Sequence, residues 1–244
     1  MRLLEKNMEK EKCYLWHDTA RSPFMNMALD ELLQDEALLL GAPVLRFYAW
    51  NVPAASFGYS QKPSAVTRTQ GLTLVRRPTG GGVVYHDVDL TYTFAIPAGD
   101  RFCELNRMES YRVIHEPVMA ALTKLGRGAH LEPDLGIKHD RATLQCFVSP
   151  SPNDVMDSDG SKLAGAAQRR TRKGILHQGS VRITTLPPRK IVIAALQKEF
   201  EEALAYTYDE FPVRKEYIAA AEHLAVHKYE TVLWNEKAEV ADDQ

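Results

Sequence analysis

The chain has 244 residues, 45% hydrophobic and 25% charged, with a formal net charge of -2. That composition can build a real core and excludes disordered and repeat architectures, while the near-neutral balance leaves no electrostatic footprint for nucleic acid. No apolar run approaches the roughly 20 residues of a membrane span, and the opening MRLLEKNMEKEK lacks the apolar centre of a signal peptide, so a cytoplasmic protein contacting neither nucleic acid nor membrane is expected.

The first element is a helix. Ser22-Pro23 supplies an N-cap and first turn, Phe24, Met27, Ala28, Leu32 and Leu33 recur at helical spacing, and Gly41 stops it. Residues 1–13 before it read as a loosely ordered extension. Short runs rich in β-branched and aromatic residues follow: PVLRFYAW, AASFGYS, LTLVRR, GVVYHD and LTYTFAIP, all strands of one sheet. Tyr111, Ile114, Val118, Leu122 and Leu125 mark a second helix ending at Gly126, with Pro117 expected to kink it or move its start. LQCFVS, SKLAGAAQ and GILHQGSVRI read as further strands, the last two joined by the basic tip Arg169 to Gly174. Helical periodicity returns over Ile193 to Leu204 and Tyr217 to Lys228, and 236–244 is a charged tail. With no long linker, 1–244 is expected to be one α+β domain: a mixed, mainly antiparallel sheet flanked by helices.

One segment stands out: RRPTGGGVVYHD, Arg76 to Asp87. It is not a Walker loop, since Val83 and Val84 follow the glycines, and it fails the dinucleotide fingerprint because Tyr85 takes the last glycine position. What remains is a strand-to-strand segment whose amides are bare of side chains, preceded by two guanidiniums; it suits a ligand lying against main chain, or simply a tight hairpin. Cys13, Cys103 and Cys146 are odd in number and far apart, with no C-x-x-C, so neither a disulfide framework nor a metal site is indicated. Cys146 alternates with Leu144 and Val148, which by spacing alone suits an inert core thiol.

RRPTGGGVVYHD followed by LTYTF, then KLAGAAQRRTRKGILHQGSV, resembles the lipoate-protein ligase A and octanoyltransferase family, as do FMNMALDE, PVLRFYAWNVPAASFGYSQ and KYETVLWN. The resemblance implies the fold shared with biotin protein ligases, with an acyl chain in a tunnel between the glycine loop and the lysine strand. Two chemistries occur in the family. One activates lipoate with ATP as an adenylate; the other takes octanoate from an acyl carrier protein thioester through a cysteine to a lysine of a lipoyl domain or glycine cleavage H protein. CFVSPSPNDV resembles the cysteine segment of LipM-type octanoyltransferases, whereas the LipB type carries its cysteine beside the later glycine strand, where this chain has Ile175 and Leu176. The ligases often carry an accessory C-terminal domain for which a chain of this length has no room, but two-part ligases exist, so length alone does not decide between the two chemistries.

The resemblance thus implies a cofactor-free acyltransferase with Cys146 as nucleophile and Lys162 steadying the thiolate and oxyanion. Without the motif, Lys162 would read as a solvated lysine after DSDGS. Arg76, Arg77, Gly80, Gly81, Gly82, His86, Gly165 and Ala166 complete the expected binding site, the small residues leaving room for the acyl chain. His86 would orient the loop or bond the carbonyl, or else be a structural histidine tied to Asp87; of Arg76 and Arg77, one would face the ligand or carrier phosphate and the other brace the loop. His177 has no assigned role, and Gln178 stands where ligases tend to place a second histidine. The RRTRK tip reads as a solvated hairpin end, or as a dock for an acidic carrier. An ATP-dependent lipoate ligase and a non-catalytic acyl-binding protein remain the other readings.

Overall fold

The computed structural model describes residues 9–87, 89–134, 136 and 150–240, so the strand expected around Cys146 lies outside the described residues. Helix α1 (Pro23–Leu40) forms where its signals place it. The Ser22 hydroxyl accepts from the Met25 N–H at 3.2 Å, Pro23 occupies the first turn, and Gly41 closes the helix at φ +64°, a left-handed conformation that glycine adopts without penalty.

The strands are β1 (Glu11–Arg21), β2 (Val44–Trp50), β3 (Ala54–Phe57), β4 (Thr73–Arg76), β5 (Val84–His86), β6 (Asp89–Pro97), β7 (His130–Leu131), β8 (Val155–Met156), β9 (Lys162–Thr171), β10 (Gly174–Arg182) and β11 (Tyr206–Glu210). They form two sheets rather than the single sheet expected. The larger has the order β11-β1-β2-β6-β10-β9-β8-β7 and the smaller β4-β3-β5. Pairings β1–β11, β1–β2 and β3–β4 are parallel and the others antiparallel, a mixed, mainly antiparallel arrangement. β1 begins at Glu11, inside the stretch expected to be a loose extension, and buries Cys13 completely.

Helices cover both faces of the large sheet. On one, α2 (Arg107–Lys124) and α3 (Arg189–Ala203) press Ile114, Val118, Leu122, Val192, Leu196 and Phe200 onto Phe94 and Tyr92 of β6. Phe94 and Phe200 meet edge to face at 5.0 Å, a geometry that adds about 1 kcal/mol to their burial. On the other face lie α1 and α4 (Lys215–Leu224), followed by π-helical turns over Ala225–Tyr229 and Leu233–Lys237. The periodicity expected to run on to Lys228 as one helix is therefore broken at Leu224. In α2 the proline neither ends nor delays the helix. Asn106 and Glu109 cap it reciprocally, which fixes the start at Arg107, four residues earlier than the hydrophobic spacing indicates, and Pro117 sits within it. No helix among the described residues is long and apolar enough to cross a membrane.

Candidate functional site

The glycine segment leaves β4 at Arg76 and returns as β5, and its course is set by backbone contacts that only glycine permits. Gly81 has φ +84°. A Cβ on Gly58, at the end of β3, would lie 2.1 Å from the Gly81 carbonyl oxygen, so the two main chains touch there. Gly58 sits in AASFGYS, where no local signal marks it out, because its partner lies more than twenty residues later in the chain.

Arg76 and Arg77 both brace this segment, from opposite sides. The Arg76 guanidinium donates to the carbonyls of Tyr59, Gln61, Trp234, Asn235 and Glu236, one bond for each of its five N–H groups. That leaves no donor for a ligand phosphate. Arg77 donates to Ser56 O and Oγ at 2.8 Å and to the carbonyls of Gly80 and Gly82 at 2.9 and 2.7 Å, so it holds the glycine loop from within.

The small sheet stands over β9 and β10, leaving a narrow cleft of about 30 Å³ between them. Gly81, Val84 and His86 face Gly165, Ala166 and Gly179 across it, with Met27, Tyr48 and Trp50 at its side. Its surface is mostly apolar, the environment that an acyl chain prefers to water. Its polar positions are fixed from outside. Gln178 donates to Asp30 at 2.7 Å and accepts from Thr79 in the glycine loop at 2.7 Å, while Asp30 also receives Arg46, Tyr48 and Thr93.

His86 pairs with Asp89, not Asp87. Its Nδ1 lies 2.8 Å from Asp89 Oδ2, its Nε2 is 2.7 Å from Ser56 Oγ, and its ring stacks on Trp50 at 3.8 Å. Asp87 instead faces outward against Arg68 at 2.7 Å. Burial would push the Asp89 carboxyl up, but the His86 ring and the hydroxyls of Ser180 and Thr91 outweigh it and hold the group below its ordinary value.

Lys162 opens β9 and is buried, not a solvated strand-end lysine. Its Nζ lies 2.6 Å from Asp154 Oδ2, which also accepts the Ser151 N–H at 2.6 Å. A Cβ on Gly165 would meet Lys162 Cε at 2.4 Å and Nζ at 2.6 Å, so the lysine folds back over that glycine. Gly165 thus makes room for the ion pair as well as lining the cavity. Asp154 in turn lines a second, more polar cavity with Ser60, Arg107, Tyr111 and Gln168, and the two cavities share Gly81 and Ala166. Lys162 itself lines neither cavity; it is packed behind their walls, between Asp154 of the polar cavity and Gly165 of the apolar one.

Cys146 lies outside the described residues. Burial pushes the thiols of both Cys13 and Cys103 up, keeping them protonated at neutral pH and unfit as nucleophiles. His177 is fully buried beside Tyr92, Tyr111 and His115, on the opposite side of β10 from Gln178, and burial drives its imidazole well below its ordinary value. The hairpin tip is partly tied down, Arg170 reaching the Cys103 and Asn106 carbonyls and Lys173 pairing with Asp35. Among the described residues no group of three His, Cys, Asp or Glu side chains converges to hold a metal.

Residues 22–206 match the model of the lipoyl protein ligase A/B catalytic domain. Over 279 aligned residues the chain is 31% identical to octanoyltransferase LipM of Anoxybacillus flavithermus, covering 94% of this chain and all of that one. It is 34% identical to octanoyltransferase LipM of Bacillus subtilis over 186 residues, 71% of this chain and 66% of the relative. The fold is that of a solved chain from the structural analysis of an archaeal lipoylation system, a bi-partite lipoate protein ligase and its E2 lipoyl domain from Thermoplasma acidophilum, with TM-score 0.75 at 22% identity, covering 96% of this chain and all of that one.

Proposed function

We propose, because the chain belongs to the lipoyl protein ligase A/B catalytic-domain family, that it moves an octanoyl group from octanoyl-acyl carrier protein to a lysine of a lipoyl domain or glycine cleavage H protein. The chain is an acyltransferase, and similarity to octanoyltransferases over nearly its whole length supports octanoate as the group it carries. On this reading it is a single cytoplasmic catalytic domain that uses no cofactor.

The chemistry runs in two halves. The Cys146 thiolate attacks the octanoyl carbonyl, the carbon–sulfur bond to the carrier breaks, and the departing thiolate takes up a proton. The acceptor lysine amine then attacks the enzyme thioester, an amide forms, and the proton it loses returns to the Cys146 sulfur. Lys162 supplies positive charge to the oxyanion in both halves. The acyl tail occupies the cleft between the glycine loop and β9–β10, bordered by Gly81, His86, Gly165 and Ala166, while Gly80 borders the polar cavity and Gly82 shapes the loop through its carbonyl bond to Arg77.

One observation carries this reading: a buried ammonium, held by Asp154 and lying against Gly165, is packed between the residues that wall an apolar cleft and those that wall a polar cavity. Intact-protein mass spectrometry after incubation with octanoyl-acyl carrier protein tests it. One octanoyl group, removed by hydroxylamine and lost in Cys146→Ala, is expected. An alanine variant that transfers normally overturns the assignment.

A further inference from the structure

Resting on that reading, we infer that Asp154 is a positioning residue for the transfer: its carboxylate fixes the place of the Lys162 ammonium, and with it the loop that walls the polar cavity. Three observations meet at this side chain. Asp154 Oδ2 accepts both Lys162 Nζ and the Ser151 N–H, each at 2.6 Å. The Asp154 N–H bonds the Ser151 carbonyl at 2.9 Å and its own carbonyl receives the Glu132 N–H at 2.8 Å, so the aspartate is anchored at both ends and cannot follow the lysine if the lysine moves. Finally, β9 is bare at Gly165, where the ammonium and the Asp154 Oδ1 both lie inside the space a Cβ would take.

A lysine on a four-carbon stem has many rotamers and a compact charge, and left alone it would spread over them. Here the carboxylate and the missing Cβ select one, directed back along the strand to Gly165, whose neighbour Ala166 borders both cavities. Preorganised charge of this kind accelerates a reaction because it needs no rearrangement as the oxyanion develops. Asp154 also closes the turn Ser151-Pro152-Asn153, whose Asn153 holds φ +67° and bonds His115 Nδ1 through its carbonyl. One carboxylate therefore sets both the charge and the wall beside it.

Two variants separate position from charge. Asp154→Asn keeps the shape and removes the anion. Gly165→Ala keeps both charges and displaces the ammonium, the flexible end of Lys162 being what yields to the new methyl. In octanoyl transfer from octanoyl-acyl carrier protein, each should lower kcat by about 100-fold while KM for the carrier changes little, because the misplaced group acts on the reacting carbonyl and not on carrier docking. Asp154→Glu should recover part of the loss. The Lys162 ammonium, identified in a 15Nζ–1H spectrum by its absence in Lys162→Arg, should shift or broaden away in both variants while the melting transition stays cooperative. Wild-type kcat in Asp154→Asn and Gly165→Ala, or an unmoved ammonium signal in both, overturns the inference. A wild-type protein that transfers nothing from the carrier overturns instead the reading on which it rests, and the ammonium signal still reports the pairing.

Discussion

Arg76 and Trp234 exchange hydrogen bonds: the Arg76 Nε donates to the Trp234 carbonyl at 2.8 Å, and the Trp234 indole donates to the Arg76 carbonyl at 3.0 Å. The C-terminal turn is thereby fastened to the entrance of the glycine loop, 158 positions earlier in the chain. Arg76→Lys should destabilise the protein by about 2–4 kcal/mol, since one ammonium cannot satisfy five carbonyls fixed in the geometry of a guanidinium. Urea unfolding measures it. A loss no greater than that of an exposed substitution would mean that the carbonyls find other partners.

The glycines of the loop divide sharply, and single alanines should show it. Gly58→Ala drives a methyl into the Gly81 carbonyl, and Gly81→Ala takes a left-handed conformation, so both should cost about 1–3 kcal/mol and weaken acyl binding together. Gly80 meets nothing within 4 Å of an added Cβ and is not left-handed. Gly80→Ala should stay within about 0.5 kcal/mol of wild type. Thermal melts rank the three, and equal losses would show that the segment behaves as a plain hairpin.

Much of this was legible in the sequence where a local signal sufficed. Ser22-Pro23 and Gly41 bound α1 because caps act within one turn. β1 was missed because only Cys13 and Trp16 along EKCYLWHDTAR are buried, and the irregular register between His17 and Ala20 breaks the two-residue period that marks a strand. Which arginine braces which side could not be read from two adjacent letters; successive strand residues point opposite ways, and Arg76 finds its partners in the distant C-terminal turn. Asp154 carried no signal at all, since its meaning depends on a lysine eight positions on doubling back over a bare strand.

Lys162→Ala is a poor probe of chemistry alone. It leaves the Asp154 carboxylate, itself only 4% exposed, without its cation, and a buried pair broken on one side costs about 3–5 kcal/mol. The double variant Lys162→Ala, Asp154→Ala should regain part of that loss in urea unfolding while remaining inactive. Additive losses would place the two groups in separate networks.

Stability should fall as the pH drops from 7 toward 5, with two histidines responsible. Burial lowers both His115 and His177, the latter further through the nearby His115, whereas in the unfolded chain each takes up its proton near pH 6.5. The unfolded state then binds more protons than the folded one, so the stability present above about pH 6.5 is lost below it, by up to about 1.4 kcal/mol per pH unit for each group. Asp89, held low, loses its contribution only below about pH 4, outside this window. His177→Gln should reduce the slope by one proton in urea titrations at successive pH values. An unchanged slope would place the protonating group elsewhere.

The last prediction concerns the source of the driving force. Joining a free carboxylate to a lysine is uphill unless the acid is first activated, so a ligase needs ATP and passes through an adenylate. A transferase receives its acyl group already activated as a thioester, and passage from thioester to amide runs downhill through a second thioester on the enzyme. The requirement is absolute in one case and absent in the other. The purified protein should octanoylate a lipoyl domain from octanoyl-acyl carrier protein with no nucleotide present, by ping-pong kinetics, and ATP should not stimulate it. Free octanoate or lipoate with ATP and magnesium should give negligible product. The residues support this division: Arg76 spends every donor on carbonyls, and Arg77 places four of its bonds on Ser56, Gly80 and Gly82, so the guanidiniums at the glycine loop are committed to shape rather than to a triphosphate. Product formed only from free acid and ATP, and surviving Cys146→Ala, would make the protein a lipoate ligase and assign Lys162 to an adenylate instead of a thioester.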